Sequence, residues 1–258
     1  MNRARTWSLV LFSSLAVLMM AACGGGSEDS APAPSAAPAA PPAAVGNATV
    51  SGTVTLASGE DMDITIQMNA DPVCAGLHEG DVQSETMVID DEGNLANVFI
   101  YVKSGLSGSF PAPSQAAIIS QKGCLYTPHV LGLQVGQTLK VVNQDPTLHN
   151  VHASPKENAE FNQAQPFQGM ELERTFDSTE VMIPFKCDVH PWMSAYMAVL
   201  DHPFFAVSAT DGSFSIEGLP AGTYTLEAWH EVLGTQSAEA TVEADGSIEV
   251  DFAFEAGA

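Results

Sequence analysis

Apolar and polar positions alternate along this chain in many short runs. The runs 49–56, 63–68, 95–103, 133–142, 181–185, 213–217, 223–229 and 247–254 are rich in Val, Ile, Phe and Thr. Turn-forming clusters punctuate them: Asp91-Glu92-Gly93-Asn94, Gln144-Asp145-Pro146, Asp211-Gly212 and Leu219-Pro220-Ala221-Gly222. No stretch keeps a 3.6-residue period for three turns, and no strong internal repeat is present. The pattern predicts an all-β protein of short strands, a sandwich or a barrel.

The first 46 residues follow other rules. Arg3 and Arg5 precede an apolar run over 7–22, broken by Ser8, Ser13 and Ser14. That run is shorter than the roughly 20 residues a membrane span needs, and it reads as a secretory signal. It ends in Met20-Ala21-Ala22-Cys23, which resembles a bacterial lipobox, so Cys23 is the expected lipidation site of an exported, membrane-anchored lipoprotein of the periplasm or cell envelope. Residues 23–46 are Ala/Pro/Gly-rich and lack any pattern that could bury a face. They are expected to form a disordered tether reaching at most ~70 Å at ~3.1 Å per residue.

Composition narrows the partners. The 258 residues are 45% hydrophobic and 7% aromatic, enough for a buried core. Eight Lys and Arg stand against 31 Asp and Glu, a formal charge of −23. Such a chain is no natural partner for nucleic acid, which is bound by basic patches. The charge suits solubility first, and is compatible with a cationic protein partner.

Four residues carry candidate metal chemistry: His149, followed by Cys187, His190 and Met193 within Cys187-Asp188-Val189-His190-Pro191-Trp192-Met193. A thiolate, two imidazoles and a thioether are the ligands of a blue-copper site, with sulfur and two nitrogens in a trigonal plane and a long axial thioether. The predicted strand 181–185 leads into Cys187, and 194–200 leads away as another. Pro191 stiffens the turn between them. His152 competes with His149, and Met197 with Met193. Met197 falls inside the following strand pattern and is read as core.

These motifs resemble the cupredoxins, and among them the amicyanins. The ligand loop Cys-x-x-His-Pro-x-Met is matched by Cys187, His190, Pro191 and Met193. The run around the first ligand is matched by His149-Asn150-Val151-His152. The resemblance covers about 115–202, within a cupredoxin domain placed at 105–202. It implies an eight-stranded β-sandwich, one type 1 copper and one-electron transfer. It implies that Asn150 ties the two ligand loops together by hydrogen bonds, and that Trp192 stands beside an exposed His190, the solvent-edge route for the electron. It further implies redox partners such as a periplasmic dehydrogenase and a c-type cytochrome. Four protein ligands leave no open position for a substrate, so an enzyme is not expected. The alternatives are copper storage, delivery or sensing, and a non-redox surface interaction module.

The remaining cysteines are Cys74 and Cys124. In an exported protein a disulfide is their default, contributing about 4 kcal/mol across a loop of ~50 residues. It would cross from the flanking domain into the copper domain. Free thiols remain open, as does a second metal site with His78 and His129. The flanks resemble a second family, the carboxypeptidase regulatory-like, prealbumin-type β-sandwich. Asp211-Gly212-Ser213-Phe214 and Gly218-Leu219-Pro220-Ala221-Gly222-Thr223-Tyr224 carry that likeness. Val50–Val54 and Asn97–Val102 would supply its first two strands. The expected architecture is therefore a cupredoxin sandwich inserted in, or in series with, a prealbumin-like sandwich built from 47–104 and 203–258. His202 and His230, on the flanking part, are read as surface or interface residues.

Overall fold

A computed structural model describes residues 46–58 and 64–256. The expected signal segment, the lipidation site Cys23 and nearly all of the tether lie outside the described residues. The elements are β1 (Ala48–Ser58), β2 (Thr65–Ile66), α1 (Pro72–Gly76), β3 (Val82–Gln83), β4 (Phe99–Ser104), β5 (Ala117–Lys122), β6 (Leu125–Thr127), β7 (Val130–Gln134), β8 (Leu139–Asn143), β9 (His149–Ala153) and β10 (Phe161–Gln165). They continue with β11 (Glu171–Arg174), β12 (Glu180–Lys186), β13 (Ser194–Leu200), β14 (Phe205–Val207), β15 (Ser213–Leu219), β16 (Gly222–His230), β17 (Gly234–Val242), β18 (Ser247–Glu249) and β19 (Phe252–Glu255). The protein is all-β, as its alternating pattern predicts.

Two pairs of sheets enclose two cores. In the first, β10-β9-β12-β13-β7 packs on β11-β8-β5-β6. Ile119, Leu133, Val141, Val151, Ile183, Phe185 and Met197 fill the space between them. In the second, β15-β1-β18, with β19 also on β1, packs on β14-β4-β16-β17 around Val50, Ile100, Phe214, Leu226 and Phe252. The second core draws on residues 48–102 and 204–254, and the first on Met68 and Cys74 besides residues 119–199. A smaller cluster of Phe99, Tyr101, Val130, Ala198 and Leu200 lies between the two. There β7 comes so close that a Cβ at Gly132 would stand 2.4 Å from the Phe205 ring. The side-chain-free residue is what permits that approach.

The strand pattern is met with differences that have physical causes. The run 133–142 is two strands, β7 and β8, parted at Gly136, whose φ is +78°. The run 247–254 divides into β18 and β19, and β4 starts only at Phe99, beyond Asn97 at φ +59°. Strands β3, β5, β6, β9, β10, β11, β14 and β17 went unpredicted. Of these β5 and β9 lie inside their sheets, and β9 is buried at four of its five residues, which leaves no alternation to read. Strands β6, β10, β11, β14 and β17 are outer strands, and four of the five residues of β10 are exposed or half-buried. An edge strand that buries little carries little alternation.

His202 and His230 are interior, not surface residues, at 6% and 1% exposure. Each ring replaces water with backbone donors. His202 Nδ1 accepts from Phe204 N–H at 3.2 Å. His230 Nδ1 accepts from Val232 and Leu233 N–H at 3.2 and 3.3 Å. Burial pushes His230 down to about 4, against the pull of the Glu231 charge. In the unfolded chain the ring takes its proton near pH 6.5. Between those values the unfolded state binds more protons, so stability is whole above pH ~6.5 and declines as the pH falls towards 4. The loss reaches about 3 kcal/mol. The melting temperature should therefore drop between pH 6.5 and 4, with His230→Gln showing a shallower drop. An equally steep acid limb in the variant would refute this origin.

Candidate metal centre

The register of β12 on its neighbours builds the site. Ile183 and Phe185 point into the core while Pro184 and Lys186 face out. Phe185 pairs with Ala153, and Lys186 with His152, on β9. The chain therefore leaves β12 beside β9, with the buried Cys187 as its next residue. His149 is the first residue of β9 and is fully buried. The connection from β12 to β13 is a closed turn: Met193 N–H donates to His190 C=O at 2.9 Å, and Cys187 N–H donates to Met193 C=O at 3.2 Å. The turn holds Cys187, His190 and Met193, all inside.

The ligand atoms of His149, Cys187 and His190 lie within 4.8 Å of one another. The two Nδ1 atoms are 2.9 Å apart, and Cys187 Sγ is 3.7 Å from His190 Nδ1. The outer nitrogens face carboxylates: His149 Nε2 lies 3.0 Å from Asp145 Oδ2, and His190 Nε2 lies 3.0 Å from Asp71 Oδ2. Both carboxyl groups are held below the usual carboxylate range. For Asp71 the main cause is the hydrogen bond from His190. For Asp145 burial works the other way, but the hydrogen bonds from His149 and from Cys124 and Gly123 N–H outweigh it. A carboxylate can only accept, so each ring carries a proton on Nε2 and turns Nδ1 towards the other ring. Burial works against a charge on His149, but the Asp145 and Cys187 side chains outweigh it and raise the ring. At 2.9 Å the two Nδ1 atoms can share one proton between them, or a metal cation in its place.

The sulfur is prepared in the same way. Burial would raise the Cys187 thiol. Hydrogen bonds with His149 and from the Asn150, His190 and Val189 N–H groups outweigh burial and bring it down to about 7. The thiolate is the form that binds metal. Two imidazole nitrogens, a thiolate and a buried thioether suit copper by donor softness.

Asn150 links the two ligand segments. Its Oδ1 accepts from Asp188 N–H at 2.7 Å and lies 3.3 Å from Cys187 Sγ, while its Nδ2 donates to Asp188 Oδ2 at 3.1 Å. Trp192 packs beside His190, with 5.2 Å between ring centroids, and its Nε1 donates to Cys124 C=O at 3.1 Å. The rival ligands stand elsewhere. His152 lies between Asp188 and Glu160 carboxylates at 2.9 and 2.8 Å, and Met197 pairs with Ile183 in the core.

Two expectations change. His190 is not at a solvent edge: it is 2% exposed, because Asp71 and the first turn of α1 cover its outer nitrogen. Cys74 and Cys124 form a disulfide, but both sulfurs lie in the first core, together with Met68. The bridge thus staples the α1 segment onto the histidine-bearing sandwich and does not run between the two cores. The four-ligand alternative is not assembled. His78 Nε2 bonds Gly123 C=O at 2.8 Å, and His129 sits between Ser194 C=O and Glu231.

Asp71 and Asp145 are the site residues that the sequence reading missed. Asp145 stood in plain view within the turn before His149. Asp71 had no local signal, being 119 residues from the ring it touches.

No protein-family model matches the chain, and no curated protein matches its sequence. Among solved structures, a copper-containing nitrite reductase from Thermus scotoductus aligns at 21% identity over 40% of this chain, with TM-score 0.32. The alignment spans only 26% of the reductase. A purple cupredoxin from Nitrosopumilus maritimus aligns at 23% identity over 32% of this chain and 98% of its own, with TM-score 0.28. An oxidised mutant of amicyanin aligns at 18% over 39% and 97%, with TM-score 0.31.

Thiol counting checks the bridge. Treating the denatured protein with reductant should release two further thiols, mapping to Cys74 and Cys124. Replacing both by Ser should cost about 4 kcal/mol of stability. An unchanged thiol count would remove the bridge.

Proposed function

We propose that this protein is a type 1 copper protein that carries single electrons between redox partners. The observation that carries the reading is the buried convergence of His149 Nδ1, His190 Nδ1 and Cys187 Sγ, above a turn that also buries Met193. When bound there, copper would supply a one-electron couple between Cu(II) and Cu(I). The residues that would hold it are His149, His190 and Cys187, with the buried Met193 thioether as a further donor. The protein also excludes water and leaves no coordination position for a substrate, so electron carriage is favoured over catalysis. The −23 formal charge suits a cationic partner surface, such as that of a c-type cytochrome, with a periplasmic dehydrogenase as donor. Export and a lipid anchor on Cys23 belong to the same reading.

Adding Cu(II) to the purified protein should develop an intense blue thiolate-to-copper band that reductant bleaches. Cys187→Ser should abolish it. Met193→Leu should keep the colour and shift the reduction potential. A colourless wild-type protein under these conditions would end the reading.

The anchor is checked separately. The native protein should partition with membranes and Cys23→Ala should be released in soluble form; equal partitioning of the two would leave a plain signal segment.

A further inference from the structure

Both histidines of the centre are gripped on their outer nitrogens, and both grips meet at one covalent bond. Asp71 caps α1: its Oδ1 accepts from Val73 N–H at 2.7 Å and Cys74 N–H at 3.4 Å, and its Oδ2 accepts from His190 at 3.0 Å. Asp145 repeats this in a turn: Oδ1 accepts from Gly123 N–H at 2.7 Å, and Oδ2 accepts from Cys124 N–H at 2.8 Å and His149 at 3.0 Å. Each carboxylate is thus shared between one imidazole and the peptide N–H of one cysteine of the bridge. Cys74 Sγ itself is 3.5 Å from His190 Nε2.

The segment that brings Asp71 has little regular structure of its own and is held through its side chains: Ile66, Ala75 and Val82 pack on the first core, and His78 bonds Gly123 C=O. Between residues 64 and 83 it forms one five-residue helix and one pair of two-residue strands. Elements of that size are not stable alone. The buried side chains of Met68 and Cys74, and the bond to Cys124, fix it over His190.

We propose that Cys74–Cys124, with Asp71 and Asp145, is a preorganising clamp on the copper site. It holds both rings with Nε2–H outward and Nδ1 inward before metal arrives, and it seals the His190 face against exchange. Asp71 and Asp145 are positioning residues, since neither touches the metal position. An imidazole without such an acceptor samples both tautomers and both ring orientations, and only one of these offers Nδ1 to the site. Loss of an outer acceptor of this kind typically weakens metal binding roughly ten- to a hundredfold. The clamp rests on the type 1 reading for its copper, but its effect on the rings exists in the metal-free protein.

The test uses two readouts. Long-range 1H–15N NMR of the metal-free protein reports the tautomer of each ring, and transfer of copper to an excess of chelator, followed at the blue band, reports its retention. Wild type should show single Nε2–H tautomers at His149 and His190. Asp71→Asn should disturb His190 alone and Asp145→Asn should disturb His149 alone, each speeding copper transfer about ten- to a hundredfold. Cys74→Ser/Cys124→Ser should disturb both rings. Should that double variant fail to fold, the two Asp variants, which keep the bridge, decide. Mixed tautomers in wild type, or Asp variants with unchanged rings and transfer rates within twofold of wild type, would overturn the clamp. A wild type with single tautomers but no blue band would overturn the type 1 reading and leave the clamp standing.

Discussion

Two buried imidazoles face each other with their Nδ1 atoms 2.9 Å apart. Without a proton or a cation between them their lone pairs would repel and the rings would turn away. Carboxylates at the far nitrogens hold them in place. The layout around the site follows from that constraint. Strand β9 has to begin at His149, β12 has to deliver Cys187 beside it, and the turn to β13 has to close tightly enough to bring His190 and Met193 inward.

The constraint explains why the histidine-bearing sandwich needs material from outside its own strands. One histidine finds its acceptor locally, at Asp145, four residues back. The other finds it on a segment that leaves the opposite sandwich after β1, crosses as β2 and α1, and returns through β3 to β4. The disulfide secures this loan. In exchange His190 is closed off from water, so an electron leaving the site does not step from that ring straight into solvent. Trp192, packed on His190 and bonded to Cys124 C=O, belongs to the same covered face.

Much of this was legible in the sequence. Alternation with turn punctuation was enough for an all-β chain. The order and spacing of His149, Cys187, His190 and Met193 were enough for a metal hypothesis, because ligands in one tight turn must be close in space whatever the fold does elsewhere. The link through Asn150 was implied by the resemblance to the cupredoxins, not by the residue alone, and the structure makes it. Edge strands such as β10 and β17 were not legible, because a strand that buries little has no reason to alternate.

What only the tertiary structure decided concerns pairs far apart in the chain. The sequence offered Cys74 and Cys124 as a bridge, a thiol pair or a metal site, and could not place Cys74 in the core where it lies. It marked His202 and His230 as surface or interface residues, because burial of a lone histidine depends on backbone donors that appear only once the turns after β13 and β16 are formed. It gave no sign of Asp71 over His190. Local periodicity and ligand spacing record the forces between near neighbours. Which carboxylate faces which ring across 119 residues is settled by how the sheets pack, and no local pattern carries that information.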